Sequence, residues 1–422
     1  MAENDRTLRL IQLRTLALGN QIVLQIAVPA LFILQSDLNH YGIWLAINAY
    51  SSFITFLDLG FFAVIPTSAI VQSSINLSGK DQLHLIAMRK YSMRLSISGI
   101  FSLLLIWYFG RLLDVNLINS TFFTYAILSA INVLLLLVLR YYEASYRSVN
   151  STYGFSILTF HAIASTISTI SVLYFKGTIM HILIFNIIIS IVFLLQYRIK
   201  GDAFVTTQNH SFSIIQSLKK FLRPGIGYQL FAIGYMIINQ GIIIIIQNVG
   251  NYEILGILGV IRAIAGVFRQ ISSVLINSSI PQLSLLLKTG KLDEAGIRFR
   301  SMKKLVYLSN SLILLVLLIG LLSYLFQGIS TINEIPIILC IIFLLSAAFD
   351  IPWNIWLILP LSVNSHINLG LRFLFSSLLT LLLTIPAYEY IGLAGIAIIL
   401  LTQDLVMTRQ SIRQGKQILG QT

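Results

Sequence analysis

Long apolar stretches, rather than short alternating ones, organise this chain. Runs of about 18–25 residues recur along its length, enough to cross roughly 30 Å of hydrocarbon at about 1.5 Å per residue. Hydrocarbon offers the backbone no water, so each run must satisfy its own amides as a helix. Unbroken apolar segments such as 242–246 and 134–137 lack the alternation of a transmembrane strand. Twelve spans are predicted. The first six cover 13–34, 43–65, 95–109, 122–140, 153–175 and 179–196. The second six cover 226–247, 255–280, 305–326, 335–358, 368–387 and 393–407. The expected fold is an all-α polytopic membrane protein.

The polar connectors between these spans alternate in charge. Of the 28 Lys and Arg side chains, all but Arg111, Lys176, Arg262, Arg269 and Arg372 fall on alternate connectors and the two termini. By the positive-inside rule those basic segments are cytoplasmic, and an even number of spans places both chain ends there. One misplaced span would have scrambled the alternation. The opposite loops are short, and no soluble domain is expected on either side.

Composition agrees: 57% of the 422 residues are hydrophobic and 10% charged, where soluble chains carry roughly a quarter charged. The net charge of +13 follows from topology and suits anionic membrane lipid. No basic–aromatic module accompanies it, so nucleic acid is not an expected partner. The single cysteine, Cys340, lies in an apolar run and allows no internal disulfide. The first apolar segment follows a polar start bearing Arg6, Arg9 and Arg14 and is too long for a signal-peptide core. It is read as a retained helix.

The longest connector divides the chain into an N-terminal six-helix bundle, 1–197, a cytoplasmic linker, 198–223, and a C-terminal bundle with a short tail, 224–422. The linker's end places Phe212, Ile215, Leu218 and Leu222 on one helical face beside Lys219 and Lys220. It reads as an interfacial helix or as an extension of the seventh span. The halves carry a faint repeat. Gly42 opens the second span, with Pro66 and Ser78-Gly79-Lys80 beyond it; Gly256 opens the eighth, with Pro281 and Thr289-Gly290-Lys291 beyond it. Six helices per half make both halves enter the membrane in one direction, as in transporters built of parallel repeats.

Tyr41-Gly42-Ile43-Trp44, Phe56-Leu57-Asp58-Leu59-Gly60 and Leu255-Gly256-Ile257-Leu258, with Ile280-Pro281-Gln282-Leu283-Ser284, carry a family likeness. With them the chain resembles polysaccharide flippases of the multidrug/oligosaccharidyl-lipid/polysaccharide (MOP) exporter superfamily, in the O-antigen (Wzx-type) branch. At 61–67 it departs from the pattern, reading Phe-Phe-Ala-Val-Ile-Pro-Thr where the family often has an arginine or small residues. The resemblance implies a V-shaped, two-lobed bundle that moves undecaprenyl-diphosphate-linked oligosaccharide from the cytoplasmic to the outer leaflet of the bacterial inner membrane. It also implies a polysaccharide polymerase as a partner.

Charges inside spans are costly and so informative. Arg262 and Arg269 are seven residues apart on the eighth span, 20° short of two full turns at 100° per residue, so they share a face. Stacked guanidiniums suit a diphosphate, each binding its oxygens in bidentate fashion. Pairing with Asp58 and Asp350, or snorkelling, are the other readings. Asp58 and Asp350 are candidates for ion coupling, by H⁺ or Na⁺, or for charge pairing. Pro352 removes a backbone donor and is expected to kink the tenth span as a gate element. His161 reads as a packing residue, and Arg94, Arg372 and Asp404 as snorkelling near the interface.

Gly79-Lys80 and Gly290-Lys291 lack the Ser/Thr and the upstream glycine of a phosphate loop, so ATP hydrolysis by that route is excluded. No cofactor or metal cluster is indicated, and no catalytic constellation. Two rivals remain: an ion-coupled multidrug exporter of the same superfamily, and a membrane-embedded polymerase or glycosyltransferase. The latter needs paired carboxylates in a long outer loop, and these loops are short with one acid each.

Overall fold

The computed structural model describes residues 2–35, 37–52, 54, 120–149, 151–201, 226–326, 337–363 and 365–420. Among them there is helix and no strand. The helices are α1 (Ala2–Gln35), α2 (Leu38–Ser52), α3 (Ser120–Val149), α4 (Ser151–Tyr174) and α5 (Ile179–Gly201). They continue as α6 (Ile226–Val249), α7 (Tyr252–Lys288) and α8 (Leu292–Phe326). The last three are α9 (Ile337–Ser362), α10 (Ile367–Ile391) and α11 (Leu393–Ile418). Among the described residues nine helices are long and apolar enough to cross a membrane. The other two, α2 and α7, lie where the second and eighth spans were read. The third span, the 198–223 linker beyond Gly201, Asp58 and Pro66 lie outside the described residues.

Large side chains such as Leu308, Phe375 and Leu382 are 67–72% exposed. A soluble protein does not leave rows of leucine and phenylalanine uncovered; in lipid these faces are the solvated ones.

The chain forms two compact units. The first comprises Met1–Asn20, Leu34–Ser36 and Ile43–Ala232; the second comprises Gln21–Ile33, Asp37–Gly42 and Ile233–Thr422. In the first, α3, α4 and α5 pack on one another. Their contact is polar at its centre. Ser190 donates to Asn132 Oδ1 at 2.9 Å, so its oxygen must accept from His161 Nε2 at 3.0 Å. That assigns the Nε2–H tautomer and makes His161 a satisfied packing residue, as read.

In the second unit α9 packs against α11, α7 and α8. The core runs through Phe268, Phe299, Val306, Leu344, Ile355 and Leu359. Helix stops and starts follow local chemistry. Thr289 and Lys291 amides bond back to Leu285 and Leu286 carbonyls at 3.0 Å. Gly290 between them has φ +74°, a conformation that favours glycine. This explains the Thr-Gly-Lys signal after the eighth span. At the start of α2, Asp37 Oδ1 accepts from the His40 amide and contacts its Nδ1, both at 2.7 Å. Partial burial raises the Asp37 carboxyl, but the His40 contacts outweigh it and hold it below the usual carboxylate range.

Candidate functional site

The second unit's polar core is built around the turn of α9 that carries Pro352. The helix continues through this proline, which takes away the donor that the carbonyl one turn earlier would otherwise receive. Asp350, Trp353 and Asn354 flank it. Asp350 Oδ1 accepts from Trp353 Nε1 at 2.8 Å and from Asn354 Nδ2 at 3.0 Å. The same Trp353 N–H reaches Asp404 Oδ1 on α11 at 3.2 Å. One indole hydrogen therefore bridges two carboxylates. Both are buried, Asp350 at 9% exposure and Asp404 at 8%, and Trp353 is fully enclosed.

Aromatic rings wall this centre. Tyr235 of α6 stacks on Trp353, with centroids 5.7 Å apart and planes at 21°. Its hydroxyl donates to Asn354 Oδ1 at 2.7 Å. Phe373 of α10 closes against both rings, at 4.9 and 5.0 Å.

The arginines of α7 approach from the side. Arg269 Nε lies 3.3 Å from Asp350 Oδ2, an ion pair by distance but without hydrogen-bond alignment. Arg262, two turns away, takes a different partner. Its Nη1 donates to the Asn239 carbonyl at 2.8 Å and its Nη2 to the Asn239 side-chain oxygen. Asn239 sits in a π-helical turn, Ile237–Gly241, set into α6. Such single-turn departures from the α-helix recur at functional sites, and here Arg262 donates to the backbone and side-chain oxygens of the turn's Asn239.

The charge balance of the centre is uneven. Among the described residues Arg269 contributes one positive charge against the two carboxyl groups of Asp350 and Asp404. One negative charge is left for a proton or cation to neutralise, because an unpaired buried carboxylate is expensive. Arg262 is the converse case: among the described residues its partners are neutral oxygens.

The structure thus brings together Arg269, Asp350 and Pro352, and places Arg262 on the same helix. Asp58 lies outside the described residues. Asp404 requires a correction, since it is a buried partner of Trp353 rather than a snorkelling residue. Sequence reasoning also missed Trp353 and Tyr235. An acid inside a span was the available signal for Asp404; for the aromatics there was none, because tryptophan and tyrosine are common in apolar helices. Arg372 is exposed, as a snorkelling residue would be. No His/Cys/Asp/Glu cluster fit for a metal occurs among the described residues.

No protein-family description and no curated protein matches the chain by sequence. Solved structures do match by fold. One is the MATE multidrug transporter DinF-BH in complex with R6G: TM-score 0.67, 12% identity, 96% of this chain and 94% of that one covered. A second is the Vibrio cholerae MATE transporter VcmN in its bent form: TM-score 0.66, 14% identity, 99% and 97% covered. A third is a MOP superfamily transporter from Pyrococcus furiosus, with a binding pocket described as reversed in polarity. It matches at TM-score 0.64 and 12% identity, with 98% and 95% covered. The chain has the all-α polytopic fold of MATE and MOP-superfamily transporters.

Proposed function

We propose that this protein is an ion-coupled flippase for an undecaprenyl-diphosphate-linked oligosaccharide, moving it from the cytoplasmic to the outer leaflet of the inner membrane. Both chain ends face the cytoplasm in this reading. The observation that carries it is Arg262, a guanidinium in the part of α7 read as the eighth span, whose described partners are neutral. It shares a helix face with Arg269, and together they offer a diphosphate two sets of donors. Asp350 and Asp404 supply the coupling site. Their surplus negative charge takes a proton or Na⁺ at one stage of the cycle and releases it at another.

The same surplus charge favours a second reading, a multidrug exporter exchanging an organic cation for an ion. One experiment separates the two. Arg262→Gln keeps a polar side chain and orphans no charge, and Arg269→Lys keeps the Asp350 pair while losing the planar donor fork. Expressed in a deletion strain, the double variant is expected to reach the membrane at the normal level and to lose surface polysaccharide. Normal polysaccharide from that strain, with altered sensitivity to cationic dyes, selects the exporter.

A further inference from the structure

Two helices of the second unit outrun the hydrocarbon at the same end. α8 has 35 residues and α11 has 26, about 52 and 39 Å at about 1.5 Å per residue, against roughly 30 Å of hydrocarbon. The first turns of α8 and the last turns of α11 both reach Trp356 of α9. Phe299 packs on its ring with centroids 4.9 Å apart. A methyl group on Gly415 would lie 2.6 Å from the same ring. One indole therefore anchors both overhangs.

On each helix the exposed apolar stripe runs into the overhang and turns basic. At about 100° per residue, Ile297, Ser301, Lys304, Leu312 and Leu315 fall within about 40° of Leu308, and all are exposed. Arg298 and Arg300, also exposed, flank that stripe on either side. On α11 the exposed Ile398, Thr402 and Leu405 lead along one face to Arg409, Arg413 and Lys416, which are exposed in turn. Lys303 differs, since its Nζ turns over the Trp356 ring at 5.2 Å. Among the described residues none of the six exposed cations is in an ion pair. The nearby acids Asp293 and Glu294 lie a turn further out on α8, and Glu294 is held by Lys291 at 3.0 Å. The other end of α11 is unlike this one: from 373 to 408 there is no Lys or Arg.

We infer that the two overhangs form a binding site for an anionic phospholipid of the bilayer. The chemistry of such a lipid has two parts, and the surface matches both. Its acyl chains lie along Leu305, Leu308 and Leu312 of α8 and along Leu405 and Val406 of α11. Its phosphate meets the six cations directly beyond, where each stripe leaves hydrocarbon. Each cation near the surface strengthens the attraction about fivefold. A zwitterionic lipid brings its own cation to the same phosphate and gains less. Free phosphate would use the cations alone and leave the apolar stripes uncovered.

The test uses the full chain in phosphatidylcholine nanodiscs doped with phosphatidylglycerol that carries a diazirine beside its glycerol. A matched phosphatidylcholine probe is the control. Adducts after illumination are located by mass spectrometry of the peptides covering 292–308, 405–418 and, at the opposite end, 386–396. The anionic probe is expected to exceed the control at least about fivefold on the first two peptides and to equal it on the third. Unlabelled phosphatidylglycerol should displace it, and millimolar inorganic phosphate should not. Arg409→Gln with Arg413→Gln and Lys416→Gln should abolish the preference at 405–418 and spare 292–308. Arg298→Gln with Arg300→Gln and Lys304→Gln should do the reverse. All six positions are exposed, and either triple variant decides the matter should the other not fold. Equal yields from the two probes, an equal preference at 386–396, displacement by inorganic phosphate, or a preference that survives its own triple variant overturns the site. The readout uses no transport substrate, so failure of the flippase reading would leave it standing.

Discussion

Arg269→Ala is expected to lower the stability of the solubilised protein by about 3–5 kcal/mol, because it strips the one described cation from a centre holding two buried carboxylates. The neighbours cannot compensate. Trp353 already divides its N–H between Asp350 and Asp404, and Asn354 already serves Asp350. Removing the acid instead should cost less, because the Arg269 side chain is less enclosed, with 33% exposure against 12% for that of Asp350. Asp350→Asn introduced into Arg269→Ala should restore much of the loss, since the orphaned group is then neutral. Thermal unfolding of the two single variants and the double variant measures the coupling directly. Additive losses would mean that the 3.3 Å approach carries no energy.

Gly256→Ala should be the most damaging single methyl added to α7. The new carbon would meet backbone, the Leu38 carbonyl, which has no rotamer by which to retreat. Overpacking of this kind costs typically about 1–3 kcal/mol. Gly42→Ala should behave alike, because it meets the Tyr252 backbone in the reciprocal position. Gly296→Ala in α8 is the matched contrast: nothing lies within 4 Å of the added carbon. There alanine is expected to stabilise the helix by about 0.5–1 kcal/mol through the lower entropy of the unfolded chain. Melting temperatures of the three variants in one detergent decide it. Equal values for all three would show that the α2–α7 contact is slack.

The spans were legible because hydrocarbon imposes one rule on every residue within it. Helix lengths were less so. α8 begins at Leu292 and α11 runs to Ile418, well outside the predicted 305–326 and 393–407. Segments such as Arg298–Lys304 are too polar for lipid yet good helix formers in water, and hydropathy reports the membrane rather than the helix. The shared face of Arg262 and Arg269 followed from periodicity alone. Their partners did not, since whether Asp350 or Asp58 stands opposite Arg269 depends on how one helix is set along another. Asp404 looked peripheral by its place in the last span, and only the packing of α11 on α9 buries it. The π-turn at Ile237–Gly241 left no mark beyond an Asn-Gln-Gly break in an isoleucine run. Gly42 and Gly256 did announce themselves as repeat positions, and each lies against backbone of the other's helix, Tyr252 and Leu38.

The central claim is that the arginines of α7 receive a diphosphate headgroup. The direct measurement is binding of undecaprenyl diphosphate to the purified full-length protein in nanodiscs, with a lipophilic cation such as tetraphenylphosphonium as the competing ligand. The account predicts saturable binding of the diphosphate lipid, weakened about tenfold, or ~1.4 kcal/mol, by Arg262→Gln, and no comparable binding of the cation. Binding of the cation that Arg262→Gln leaves unchanged, with none of the diphosphate lipid, would contradict it.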